Sequence, residues 1–125
     1  MEIYAQVFDS TYGTSASGIR ACLTRWGATG WMMIAEAEAN ADGRIGDWNV
    51  PQLEHGLYRI VFDSDSYFAA LGARSAYPQV IICFRMRRED NGFYVQLTLS
   101  PYSYCTYFCA IEAGSTGSQA RLRLG

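Results

Sequence analysis

Ile3, Ala5 and Val7 alternate with Tyr4, Gln6 and Phe8, a period of two that predicts a β-strand with one face turned to a core. The same period returns over residues 19–26, where Ile19, Ala21 and Leu23 oppose Arg20, Cys22 and Thr24. Residues 27–30 supply a turn, and 31–37 read as the return strand of a hairpin. Asn40-Ala-Asp-Gly is a second turn signal before a short strand at Arg44–Ile45. Residues 57–62 alternate again, 80–86 form a mostly apolar strand, and 93–99 and 103–111 complete the series.

Two places break the period. Over residues 65–72, Tyr67 and Leu71 lie four apart, with Asp65 able to cap a helix and Gly72 able to end it. The second is the Ser100-Pro101 step, where proline fixes φ and cannot donate a ladder hydrogen bond, so a corner is expected between the last two strands. About eight short strands with one short helix predict an all-β, two-sheet antiparallel sandwich. Residues 1–112 form that domain, and the Gly- and Ser-rich stretch 113–125 reads as a flexible tail. The loop 9–18 is rich in Ser, Thr and Gly, and Asp9 is expected to accept backbone hydrogen bonds in the turn that opens it.

A chain of 125 residues, half of them apolar, can bury one core without metal or disulfide staples. Charge is sparse and balanced, with 12 acidic and 10 basic residues for a net of −2, and every basic residue is Arg. The largest basic cluster, Arg85-Met-Arg87-Arg88, is expected in a solvated turn with Glu89 and Asp90, so neither nucleic acid nor an anionic membrane is an expected partner. Met1 runs straight into a strand pattern without a positive region or long apolar run, so a cytoplasmic setting with reduced thiols is expected. Cys22, Cys83, Cys105 and Cys109 lack a metal-binding spacing, and the single histidine, His55, falls in a predicted loop. No metal or cofactor is expected. Cys105 and Cys109, four apart on one strand, would lie roughly 13 Å from each other, too far to bridge within one chain.

Several blocks occur in a telling order: Val7-Phe8-Asp9, Asn40-Ala-Asp-Gly-Arg44, Gly56-Leu-Tyr-Arg-Ile-Val-Phe62, Asp65 to Gly72, Tyr77-Pro78, and Leu99-Ser-Pro-Tyr-Ser-Tyr-Cys-Thr-Tyr107. Together they resemble the transthyretin-like family, which includes 5-hydroxyisourate hydrolase and the carrier transthyretin. The resemblance implies two four-stranded sheets per subunit and a homotetramer built as a dimer of dimers, with a channel and two equivalent sites between subunits. Family hydrolases use a histidine before Val-x-Asp, a second in a His-Val-Pro step, the arginine of Asp-Gly-Arg, and a C-terminal Tyr-Arg-Gly-Ser. At those places this chain carries Gln6, Tyr94 with Gln96 for the proline, Arg44, and Tyr107-Phe108-Cys109-Ala110. Arg44 has a second reading as a turn residue paired with Asp42, Asp47 or Glu38.

The resemblance therefore implies a site with Tyr94, Tyr107, Arg44 and Gln6 as catalytic candidates. Alternation adds Tyr4, Phe8, Gln96, Thr98, Cys105 and Cys109 as contacts for a small molecule, although Tyr, Thr and Gln are also ordinary solvent-facing or interface strand residues and inert packing is the favoured reading of the two cysteines. Neither an amide nor an ordinary phenol replaces imidazole as a neutral-pH base. Phenols, amides and thiols on apolar walls suit a neutral or aromatic ligand better than a dianion. The expected function is a diverged enzyme promoting a non-hydrolytic isomerisation or cyclisation of such a metabolite in a biosynthetic pathway. The alternatives are a transthyretin-like carrier and a 5-hydroxyisourate hydrolase with altered catalytic groups.

Overall fold

The structure, a computed structural model, describes residues 2–50, 53–112 and 122–124. Its strands are β1 (Glu2–Asp9), β2 (Thr14–Ser15), β3 (Arg20–Gly27), β4 (Gly30–Glu38), β5 (Arg44–Ile45), β6 (Gly56–Phe62), β7 (Val80–Met86), β8 (Asp90–Leu99), β9 (Tyr104–Glu112) and β10 (Leu122–Leu124), with one helix, α1 (Ser64–Ala70). One sheet runs β10-β9-β8-β1-β2 with β5 also paired to β1, and the other runs β4-β3-β6-β7. This is the expected two-sheet sandwich. The short strands β2, β5 and β10 raise the first sheet to six members, where the family resemblance implies four.

Among the described strands, β1 and β8 pair in parallel, Glu2 with Gly92 through Asp9 with Leu99, while the other pairings are antiparallel. Alternation carries no information on direction, which is why a uniformly antiparallel sandwich is expected from the sequence. A parallel neighbour needs a long crossover, and here the whole second sheet lies between β1 and β8 in the chain.

The inward-facing residues of the alternating strands meet as predicted. Val7, Leu23, Ile60, Phe62, Val95, Leu97 and Leu99 lose all contact with solvent. Phe84 of β7 joins the two sheets: its ring lies 5.5 Å from Phe93, 5.3 Å from Phe108 and 6.0 Å from Tyr58, between ring centres. Trp48, which no period assigns to an element, is buried and donates its indole N–H to the Ile3 carbonyl at 3.0 Å.

Asp63, two residues before the expected cap Asp65, caps α1 by accepting from Ser66 N at 3.1 Å. Asp65 sits in the first turn, where a carboxylate also complements the helix dipole. Gly72, at φ +76°, follows the helix as expected. The Tyr67 hydroxyl donates to Asp9 Oδ2 at 2.7 Å, and Asp9 Oδ1 accepts from Thr11 N and Tyr12 N, so this buried carboxylate ties α1 to the turn after β1. Burial, with the Asp9 hydrogen bond second, pushes the Tyr67 phenol well above its ordinary pKa.

Asp90 accepts from Arg87 N at 3.0 Å, closing the basic turn, and is buried instead of solvated. At the proline corner Ser100 N donates to the Ser103 carbonyl at 2.9 Å, and Ser103 N returns to Ser100 Oγ at 3.1 Å. Within the tail expected over 113–125, Leu122–Leu124 pair with Cys109–Ile111 of β9. The remainder of that stretch lies outside the described residues. Among the described residues no helix is long and apolar enough to cross a membrane.

Candidate functional site

The outer face of the six-stranded sheet carries the predicted residues in three rows. Tyr4, Tyr94 and Cys109 align across β1, β8 and β9, Gln6, Gln96 and Tyr107 form the next row, and Phe8, Thr98 and Cys105 the third. Strand register alone assembles this grid, since a period of two sends every second residue outward. Four residues separate the first row from the third, a span of roughly 13 Å, so the grid is wider than one contact.

An open hollow of about 570 Å³ lies at the first two rows, lined by Tyr4, Gln6, Asn40, Tyr94 and the segment from Arg44 to Asp47. Arg44 reaches it because β5 pairs with β1, placing Arg44 opposite Gln6. Arg44 Nε donates to Gln6 Oε1 at 2.9 Å, and Gln6 Nε2 donates to the Asp42 carbonyl at 2.6 Å. Among the described residues the Arg44 side chain bonds Gln6 and makes no ion pair with Asp42, Asp47 or Glu38. Gln6, a catalytic candidate from the resemblance, already spends its carbonyl oxygen and one N–H on the protein.

The turn before Arg44 is tightly fixed. Asn40 Oδ1 accepts from Asp42 N at 2.9 Å and from Arg44 N at 3.0 Å, while the Gly43 carbonyl accepts from Val7 N at 2.8 Å. Gly43 takes φ +74°, and a Cβ there would run into the Val7 carbonyl oxygen. Gly43→Ala is therefore expected to cost about 1–3 kcal/mol and to pull β5 away from β1. Urea melts read the first effect, and loss of the Arg44–Gln6 contact in a crystal structure reads the second. An unchanged melt would contradict the fit at Gly43.

Tyr4 donates to Glu2 Oε2 at 2.7 Å, and this bond, ahead of partial burial, raises its pKa. Tyr107 is nearly half exposed, and the neighbouring Cys109 thiol is the main cause of its raised pKa, so it stays a phenol at neutral pH. Cys109 itself is fully buried, which fits its reading as a packing residue and not as an open ligand contact, and β10 runs alongside it. Cys105 and Gln96 are exposed, Thr98 half-buried, and Phe8 exposed, all outside the hollow. Tyr107 is a diagonal neighbour of Tyr94 in the register, about 7–8 Å away, and also lies outside it. His55 sits in an exposed bend directly before β6, a strand of the four-stranded sheet, and is not among the residues lining the hollow.

Asn40, Ile45, Gly46 and Asp47 are lining residues that the strand pattern does not single out. The signal for them is the Asn-x-Asp-Gly turn itself, since an asparagine that accepts from its own downstream N–H groups folds the next residues back against the preceding strand.

The sequence matches the HIUase/Transthyretin family model over residues 3–108. The chain belongs to this family. It is 36% identical over 104 residues to 5-hydroxyisourate hydrolase of Mus musculus, covering 81% of this chain and 88% of the mouse protein. The fold superposes on sea bream transthyretin in complex with thyroxine with a TM-score of 0.80 at 25% identity, covering 92% of this chain and 98% of that one. For 5-hydroxyisourate hydrolase of Klebsiella pneumoniae the TM-score is 0.76 at 25% identity, over 86% and 98% of the two chains. The family match takes in the whole hollow, whereas Cys109 and β10 fall beyond it.

Proposed function

We propose that this member of the HIUase/transthyretin family is a cytoplasmic enzyme that binds a small apolar or aromatic metabolite in the hollow and promotes a non-hydrolytic isomerisation or cyclisation in a biosynthetic pathway. The observation that carries this reading is the Gln6–Arg44 pair. An amide and a guanidinium, bonded to each other, line the hollow, and neither accepts a proton at neutral pH. Reactions that need folding of a flexible substrate more than activation of water suit such a site, because holding reacting groups in place alone supplies several kcal/mol.

In this scheme Arg44 stabilises negative charge that develops on an oxygen of the substrate. Tyr94 donates or relays a proton from its phenol, and Tyr107 serves as a hydrogen-bond donor across the diagonal of the grid. Tyr4 and Tyr94 supply flat apolar walls. The exposed aromatic residues of the face, Tyr4, Phe8 and Tyr107, favour burial against a second copy, and we take the working form to be a homotetramer whose channel joins two such faces.

The likeness to a thyroxine-bound transthyretin favours a second reading, a carrier that binds without turnover. Two variants separate them on any ligand that the wild type is found to convert in a metabolite screen. Tyr94→Phe and Tyr107→Phe are each expected to lower turnover by about 10²-fold or more while affinity moves only a few fold. Affinity falling in step with turnover, or no conversion of any bound ligand, would favour the carrier.

A further inference from the structure

Gln6 stands between a fixed turn and the Arg44 side chain. Its Nε2 is anchored on the Asp42 carbonyl, inside the turn that Asn40 and Val7 hold, and its Oε1 takes the Nε–H of Arg44. A guanidinium has five N–H donors, so commitment of Nε leaves the four on its terminal nitrogens. Among the described residues no side-chain or backbone partner takes them. Two of these donors point in parallel by the planarity of the group, the geometry that matches a carboxylate or an enolate-type oxygen pair.

The charges around that fork limit what it accepts. Asp47 lines the same hollow, and Glu2 is tied to the Tyr4 hydroxyl at its wall. One negative group on a ligand can dock on Arg44, whereas a second would meet Asp47 or Glu2. Tyr4 and Tyr94, side by side in the register, present adjacent rings to the body of the ligand.

We propose that Gln6 is a positioning residue that clamps Arg44 with its terminal nitrogens free, so that the hollow selects aromatic ligands carrying one negative group over those carrying two. This inference rests on the reading of the hollow as a ligand site, but the clamp is tested without any ligand.

The experiment uses the full chain. The Arg44 Nε–H signal is followed by NMR, first alone and then during titration at neutral pH with 4-hydroxybenzoate (one charge), phthalate (two charges) or 4-hydroxybenzyl alcohol (none). In the wild type the Nε–H signal is expected to be resolved and protected from exchange, and 4-hydroxybenzoate to bind more tightly than phthalate. Gln6→Leu is expected to merge that signal with those of free arginines and to weaken 4-hydroxybenzoate by about tenfold, the scale of one hydrogen bond to a charged group. The uncharged alcohol should bind almost unchanged. Gln6→Glu keeps the Nε contact as an ion pair but neutralises the fork, so the signal should persist while 4-hydroxybenzoate weakens. A Nε–H signal unaffected by Gln6→Leu overturns the clamp. Phthalate bound as tightly as 4-hydroxybenzoate overturns the selection, and absence of binding by every probe overturns the ligand class and the hollow as a site together, leaving the clamp to be judged on its own signal.

Discussion

Freshly generated 5-hydroxyisourate is expected to decay about 10²–10⁴-fold more slowly with this protein than with the mouse hydrolase, the factor that a positioned acid–base group contributes to such a reaction. Water attack on the substrate needs a group that takes a proton near neutrality and later returns it. Gln6 lines the hollow and has no such capacity, and its oxygen is already held by Arg44. Tyr107 is driven further from ionisation by the Cys109 thiol. His55, the one imidazole of the chain, lies in an exposed bend that leads into β6 of the other sheet. The measurement is the loss of ultraviolet absorbance after urate oxidation, with the uncatalysed decay subtracted. A rate equal to that of the mouse enzyme would show that water is activated by something other than imidazole, and the proposed change of chemistry would fall. The double variant Gln6→His with Tyr94→His is expected to recover part of the missing rate.

Phe84→Ala is expected to destabilise the fold by about 3–5 kcal/mol, the range for truncating a buried aromatic residue. The ring fills the space between the sheets, touching Phe93 and Phe108 on one side and Tyr58 on the other. Strand backbones on both sides are held in hydrogen-bonded ladders, so the void cannot close by a simple shift. Phe84→Leu retains most of the volume and should cost far less. Urea melts of both variants give the comparison, and equal midpoints for wild type and Phe84→Ala would disprove the bridging role. Tyr94 lies next to Phe93 on β8, and Tyr107 next to Phe108 on β9, so the site face rests on the back of this cluster. Loss of Phe84 should therefore also loosen the grid.

The grid itself was legible before any coordinates because alternation is a local property. Tyr4 and Gln6 point outward for the same reason that Ile3 and Ala5 point inward, and one register places them beside Tyr94 and Gln96. Arg44 was legible only through the resemblance to its family, since nothing local says that a two-residue strand will lie against β1. The parallel direction of β1 and β8 and the burial of Trp48 were not legible, because both arise from packing between segments far apart in the chain. The helix cap moved from Asp65 to Asp63 because two aspartates two residues apart offer the same local chemistry, and only the docking of α1 against Asp9 and Tyr77 decides between them. Asp47 entered as a possible partner for Arg44 and emerged as a wall of the hollow, a distinction that depends on which way a loop folds.

The pairing of Glu2–Asp9 with residues 92–99 has a kinetic consequence. During synthesis, the first strand must wait until β3 to β7 and then β8 have been made before its central neighbour exists, and closing so long a loop is slow and entropically costly. The second sheet, made of neighbouring segments, can assemble beforehand. Tyr4 and Gln6 acquire Tyr94 and Gln96 beside them only at that late zipping step, so the outer grid should be completed in the final folding phase and not in the earlier collapse.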